Sequence, residues 1–101
     1  NLTIILHNND GGGIFEYLLQ KGTKHFDYLF STSQGLDYSG AAKLYGCGYT
    51  KIINPDELSR VLAKVSTESG VHIIEIPTDR EYSRQLHKKY TKVSVDMEAL
   101  L

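Results

Sequence analysis

The residues best suited to chemistry in this sequence follow its first apolar run. Asn8, Asn9 and Asp10 follow the run 2–6 after one intervening histidine, and three glycines occupy positions 11–13. In open parallel sheets, ligands bind outside the carboxyl ends of the strands. Amide and carbonyl oxygens suit Mg²⁺ beside a phosphate, and glycines allow the backbone to come close to a ligand. The pattern therefore indicates a turn that binds a ligand.

The glycine turn does not match the common phosphate-binding motifs. It lacks the Gly-x-x-x-x-Gly-Lys-Ser/Thr pattern of P-loops and the Gly-x-Gly-x-x-Gly pattern of dinucleotide-binding folds. Two hypotheses stay open from the residues alone. In one, two oxygens of the turn bind Mg²⁺, and phosphate, water and a carboxylate, for which Asp10 is a candidate, complete its shell. In the other, Asn8 and Asn9 only satisfy backbone groups of a tight turn.

Strands that alternate with helices are predicted to position this turn. Apolar, β-branched runs predict strands over 2–7, 49–53 and 71–76. A short apolar helix or turn is predicted over 14–20. A helix is predicted over 38–45, with Asp37 as its cap and Ala41, Ala42 and Leu44 on its packing side. Asn54-Pro55-Asp56-Glu57 predicts the start of a third helix, whose buried face carries Leu58, Val61, Leu62 and Val65. A last helix follows Asp79. This order predicts an α/β fold, a three-layer domain with a mostly parallel sheet.

The bulk composition excludes several classes of protein. The 101 residues include 11 basic and 12 acidic side chains, and a formal charge of −1 argues against nucleic acid as the main partner. Cys47 is the single cysteine, so neither an intrachain disulfide nor a cysteine-based zinc site can form. No segment approaches the roughly 20 apolar residues of a membrane span, and a cytoplasmic protein is expected.

A resemblance to a known family starts at the glycine turn. The segment from Ile4 to Phe15 resembles the second half of the metal-diphosphate motif of thiamine-diphosphate enzymes, where Asn-Asn ends a strand. Its glycines followed by Ile-Phe are similar to the 2-succinyl-5-enolpyruvyl-6-hydroxy-3-cyclohexene-1-carboxylate synthase family of menaquinone biosynthesis. Further similar segments lie at 35–38, 41–46, 54–58 and 72–80. The likeness covers about residues 2–90.

The resemblance implies cofactors and the residues that hold them. The cofactors are thiamine diphosphate and Mg²⁺ or Mn²⁺, with the side-chain oxygen of Asn9 and the backbone carbonyl of Gly11 as metal ligands. The apolar side chains after the glycines would line the site near the thiazolium ring and the substrate. The implied cofactor-binding residues are Asn9, Gly11, Gly12, Ile14, Phe15 and Leu18. No catalytic residue is assigned within this chain.

The resemblance also implies a reaction and a larger parent protein. The enzyme would be a transferase that decarboxylates 2-oxoglutarate and adds the resulting carbanion to isochorismate. The carboxylate metal ligand would precede Asn1, and a glutamate that activates the cofactor would come from a neighbouring subunit. Residues 1–101 are therefore expected to be the C-terminal part of a thiamine-diphosphate-binding domain, inactive alone, in a homodimer or homotetramer. Alternatives are another thiamine-diphosphate decarboxylase or carboligase, and a non-catalytic α/β binding module.

Overall fold

Strands and helices alternate along the chain in the computed structural model. The structure describes residues 1–92. Three strands and three α-helices are joined by short 3₁₀ and π-helical turns. The strands are β1 (Leu2–Asn8), β2 (Gly48–Lys51) and β3 (Val71–Pro77), and the helices are α1 (Tyr38–Leu44), α2 (Leu58–Val65) and α3 (Arg80–Thr91). The 3₁₀ turns are Gly13–Tyr17 and Pro55–Glu57, and a π-helical turn spans Asp27–Ser31. Across the described residues, no helix is long and apolar enough to cross a membrane.

The three strands form one parallel sheet in the order β1-β3-β2. Leu2 lies opposite Val71 and Asn8 opposite Pro77, so β1 and β3 end at the same edge. The connection from β1 to β2 passes β3 to reach the far edge of the sheet, and the connection from β2 to β3 runs in the opposite direction. Because such connections are right-handed, α1 and α2 lie on opposite faces of the sheet. The α/β prediction with a parallel sheet is confirmed.

The core is formed where α2 packs on the sheet. Ile52, Val61, Val65 and Ile74 are buried there, with Leu58, Leu62 and Ile76 packed around them. The predicted apolar face of α2 is thus confirmed. Asn54 accepts a hydrogen bond from the amide of Asp56 at 3.1 Å and Pro55 follows it, as the sequence predicted, although the first turn is 3₁₀.

Two helices differ from the prediction. The amide of Ser39 donates to Asp37 at 3.0 Å, so the predicted cap of α1 is confirmed. Of the predicted packing side, however, only Ala42 is buried; Ala41 is exposed and Leu44 is 77% exposed. Leu44 lies about 200° around the helix from Ala42, and a helix of two turns presents a single row to the sheet. The segment 14–20, predicted as a short helix or turn, contains a 3₁₀ turn that spans only Gly13–Tyr17.

Candidate metal centre

Asn8, the last residue of β1, makes its hydrogen bonds to other residues of the fold. Its carbonyl accepts a hydrogen bond from the amide of Thr78 at 2.8 Å. Its side-chain nitrogen donates to Glu75 Oε1 at 2.8 Å, and its side-chain oxygen accepts from the amide of Asp10 at 2.9 Å. The tight-turn hypothesis is confirmed for Asn8, which anchors the turn to β3, and the side chain of Asn9 likewise accepts a hydrogen bond from a backbone amide of the turn, that of Gly11.

Glu75 is a buried carboxylate that sequence reasoning missed. It is 2% exposed and accepts hydrogen bonds from Asn8 and from the hydroxyl of Tyr49, with Lys51 Nζ at 3.7 Å. Burial alone would raise the pKa of Glu75, but these hydrogen bonds and the charge of Lys51 bring it below its usual value. Burial and Glu75 together raise the pKa of Tyr49 to about 12. The sequence signal for this residue was an acidic side chain inside the otherwise largely apolar run 71–76.

The carboxylate of Asp10 joins the turn to a segment that is distant in the chain. The φ of Asp10 is +57°, a conformation that aspartate tolerates better than most residues. Its carboxylate accepts hydrogen bonds from the hydroxyl of Ser33 and from the amides of Gly35 at 2.8 Å and Gln34 at 3.2 Å. The first two of these bonds are the main reason why the pKa of Asp10 is below its usual value. Asp10, a candidate metal carboxylate in the sequence, therefore binds the 33–35 segment instead.

Gly11 and Gly12 are required by contacts within the chain. Gly11 has a φ of +114°, and a Cβ there would lie 2.6 Å from the carbonyl oxygen of Thr32. A Cβ on Gly12 would lie 2.5 Å from the carbonyl oxygen of Phe30, and the Gly12 amide donates to Ser31 at 2.7 Å. The glycines thus let the turn pack against residues 30–32. The sequence attributed these glycines to ligand access, whereas the geometry attributes them to close contacts within the chain.

Two oxygen atoms of the turn retain free lone pairs. The side chain of Asn9 is exposed, and its oxygen accepts one hydrogen bond, from the amide of Gly11 at 3.2 Å. The carbonyl of Gly11 accepts one bond, from the amide of Gly13 at 2.7 Å. Each oxygen has a second lone pair. In the part of the chain that the structure describes, no group of three or more His, Cys, Asp or Glu could hold a metal. Amide and carbonyl oxygens are both ligand types that Mg²⁺ accepts.

The apolar residues after the glycines divide into two sets. Ile14 is 67% exposed and Leu18 is also exposed, so both are free to contact a ligand. Phe15 packs against Phe30, with 5.7 Å between the ring centroids. An open cleft of about 230 Å³ is lined by Asn9, Gly13, Ile14, Tyr17, Thr78, Arg80 and Ser83. The structure thus brings Asn9 and Ile14 to one cleft, whereas Gly11, Gly12, Phe15 and Leu18 are outside its lining.

The chain is similar to part of several curated bacterial proteins, although no family model matches it. It is 50% identical over 91 residues to the 2-succinyl-5-enolpyruvyl-6-hydroxy-3-cyclohexene-1-carboxylate synthase of Lactococcus lactis subsp. cremoris, covering 90% of this chain and 16% of that protein. The synthase of Bacillus cytotoxicus is 43% identical over 96 residues, and that of Listeria welshimeri 41% over 102 aligned positions. These alignments cover 94% and 99% of this chain, and 16% and 18% of those proteins.

The chain thus spans about one sixth of the length of the curated relatives that it matches. Identity at this level over nine-tenths of the chain involves many more residues than the glycine turn contains. The resemblance stated from the sequence is confirmed, and the chain is a homologue of one segment of the 2-succinyl-5-enolpyruvyl-6-hydroxy-3-cyclohexene-1-carboxylate synthases.

Proposed function

We propose that this chain forms one wall of the cofactor site in a 2-succinyl-5-enolpyruvyl-6-hydroxy-3-cyclohexene-1-carboxylate synthase that depends on thiamine diphosphate and Mg²⁺. The observation that carries the proposal is the turn at the carboxyl edge of the sheet. It leaves the side-chain oxygen of Asn9 and the carbonyl of Gly11 with free lone pairs, and Asn9 lines an open cleft together with Ile14. The similarity to curated synthases of that name supports the assignment.

The residues of the chain would hold and orient the cofactor. Asn9 and Gly11 would bind Mg²⁺ beside the diphosphate, while Ile14 and Leu18 would exclude water from the reacting end. Thiamine diphosphate, when bound, supplies the carbon centre at which 2-oxoglutarate is decarboxylated and isochorismate is attacked. The arginines for the substrate carboxylates and the acidic metal ligand would come from the rest of a homodimeric or homotetrameric parent protein.

The two proposed ligands are neutral, and this limits what the chain can do alone. Mg²⁺ loses its water reluctantly and usually binds through carboxylates and substrate phosphates. Because the carboxylate of Asp10 is bound to residues 33–35, the negative charge must come from the diphosphate and from residues outside this chain. We therefore expect the isolated chain to bind the metal and cofactor weakly and to be inactive.

The test uses the full-length protein that carries this chain, assayed with 2-oxoglutarate and isochorismate over a Mg²⁺ titration. Asn9→Ala should raise the Mg²⁺ concentration at half activity by at least the roughly 10- to 100-fold that loss of an outer-shell partner typically costs. Asn9→Asp keeps an oxygen ligand and should retain tight metal binding. Asn54→Ala removes an exposed helix cap instead and serves as the matched control.

Three outcomes would contradict parts of the proposal. An unchanged Mg²⁺ dependence in Asn9→Ala would show that the metal ligand is misassigned. Turnover of another 2-oxo acid, without reaction of isochorismate, would indicate a different thiamine-diphosphate decarboxylase or carboligase. Absence of cofactor binding by the full-length protein would indicate a non-catalytic α/β binding module.

A further inference from the structure

The turn that carries the two proposed metal ligands has an unusual backbone conformation. Asp10 and Gly11 both have positive φ, at +57° and +114°. The last sheet hydrogen bond of this strand is that from Thr78 to the carbonyl of Asn8. The carbonyls of Asn9 and Asp10 lie beyond the end of the sheet and accept hydrogen bonds from a side chain instead.

Arg80 supplies this side chain. Its Nε donates to the carbonyl of Asn9 at 2.7 Å, one terminal nitrogen donates to the carbonyl of Asp10, and the other to the hydroxyl of Ser31. The side chain is 18% exposed, and the same guanidinium lies 3.9 Å from the carboxylate of Asp10. One planar group thus joins the metal turn to the segment that packs beneath its glycines.

The placement of Arg80 follows from the sheet and from a helix cap. Asn8 and Pro77 are paired, so the chain leaves the ends of β1 and β3 side by side. Asp79 caps α3 by accepting a hydrogen bond from the amide of Tyr82 at 2.6 Å, which makes Arg80 the first residue of that helix. The side chain is therefore held next to the turn by two independent constraints.

We propose that Arg80 is the positioning residue of this metal turn. It binds the carbonyls of Asn9 and Asp10 and the hydroxyl of Ser31, and so directs the side chain of Asn9 and the carbonyl of Gly11 toward the metal. The inference rests on the proposed function, because it assumes that these two oxygens are the ligands. A lysine at this position would keep the charge, but one ammonium cannot reproduce a fork of three donors.

The test measures Mn²⁺ binding to the full-length protein with thiamine diphosphate present, by the loss of the free-ion signal in electron paramagnetic resonance. Arg80→Lys should weaken Mn²⁺ binding by about 10- to 100-fold, the usual effect of losing an outer-shell partner. Arg84→Lys is the matched control: this arginine is on the same helix, has the same 18% exposure and pairs with Glu81. It should bind Mn²⁺ as the unaltered protein does.

Further variants separate the possible outcomes. Ser31→Ala removes one acceptor of Arg80 and should weaken Mn²⁺ binding about fivefold, as expected for one hydrogen bond, so it decides the matter if Arg80→Lys fails to fold. Unaltered binding in a folded Arg80→Lys, while Asn9→Ala weakens Mn²⁺ binding, would overturn the positioning role alone. Unaltered binding in Asn9→Ala would overturn the proposed metal site, and this inference with it.

Discussion

Replacing selected glycines with alanine should separate two reasons for glycine in the turn 8–13, an unfavourable φ and a close contact of the added Cβ. At Gly11 an alanine would have both an unfavourable φ of +114° and a Cβ 2.6 Å from a backbone oxygen. At Gly12 only the close contact applies, at 2.5 Å. At Gly22 only the conformation applies, since φ is +89° and nothing lies within 4 Å of the Cβ position. Gly40, on α1, has neither problem.

The expected magnitudes follow from these distances. A left-handed conformation costs an L-residue about 1–2 kcal/mol, which is the expected loss for Gly22→Ala. Overpacking against an unyielding neighbour costs about 1–3 kcal/mol, which is the expected loss for Gly12→Ala. Gly11→Ala combines both and should lose about 2–5 kcal/mol. Gly40→Ala should instead gain up to about 1 kcal/mol from helix propensity.

Native-state hydrogen exchange of the full-length protein measures these local free energies directly. The amide of Gly12, bonded to Ser31 at 2.7 Å, reports opening of the turn. A loss of 2 kcal/mol corresponds to exchange that is about 30-fold faster. The reasoning would be refuted if Gly11→Ala opened its segment no more than Gly22→Ala does, because the contact with residues 30–32 would then carry no energy.

Three other perturbations test the network around the turn. Because folding lowers the pKa of Asp10, its carboxylate contributes fully to stability above its ordinary pKa of 3.8, and this contribution is lost as the pH falls through the lower pKa of the folded state. Hydrogen exchange in the turn should therefore accelerate below about pH 4. This acceleration should be absent in Asp10→Asn. Tyr49→Phe should cost about 1.5–3 kcal/mol in the exchange of β2 and β3, since the buried carboxylate of Glu75 loses a donor. Ile74→Ala, at a fully buried position, should cost about 2–5 kcal/mol by the same measurement, whereas Leu44→Ala should stay within about 0.5 kcal/mol.

The parts of the fold that the sequence predicted are those with local signals. The apolar face of α2 recurs at helical spacing, and its start is encoded in the adjacent residues Asn54 and Pro55. The cap at Asp37 is likewise a contact between residues two apart. Such interactions depend on a few neighbouring residues, so a single sequence contains the information. The packing of Ala42 rather than Leu44 depends on how α1 meets the sheet, which no local pattern shows.

The local hydrogen bonds of Asn8 and Asn9 within the turn 8–13 were among the predicted alternatives, but the contacts that join this turn to other segments could not be predicted, because those segments are distant in the chain. Asp10 binds Ser33, which is 23 residues away, and Arg80 binds the backbone of Asn9, which is 71 residues away. No periodicity connects such positions. The sequence attributed the glycines to ligand access, whereas the close approach of residues 30–32 to Gly11 and Gly12 needed the structure. The prediction that Asn9 and Gly11 bind a metal rests on the resemblance and stays a prediction.

The charges around the turn suggest which species it can recognise. The carboxylate of Asp10 is bound to Ser33 and lies 3.9 Å from Arg80, and that of Glu75 is bound to Tyr49 and Asn8. Both negative charges are thus engaged within the fold, and the proposed ligands on the open side are neutral oxygens. Two neutral oxygens offset little of the cost of dehydrating Mg²⁺, whereas a diphosphate supplies the missing charge. We therefore expect the turn to bind the metal together with the diphosphate, and Mg²⁺ affinity to rise steeply when the cofactor is present.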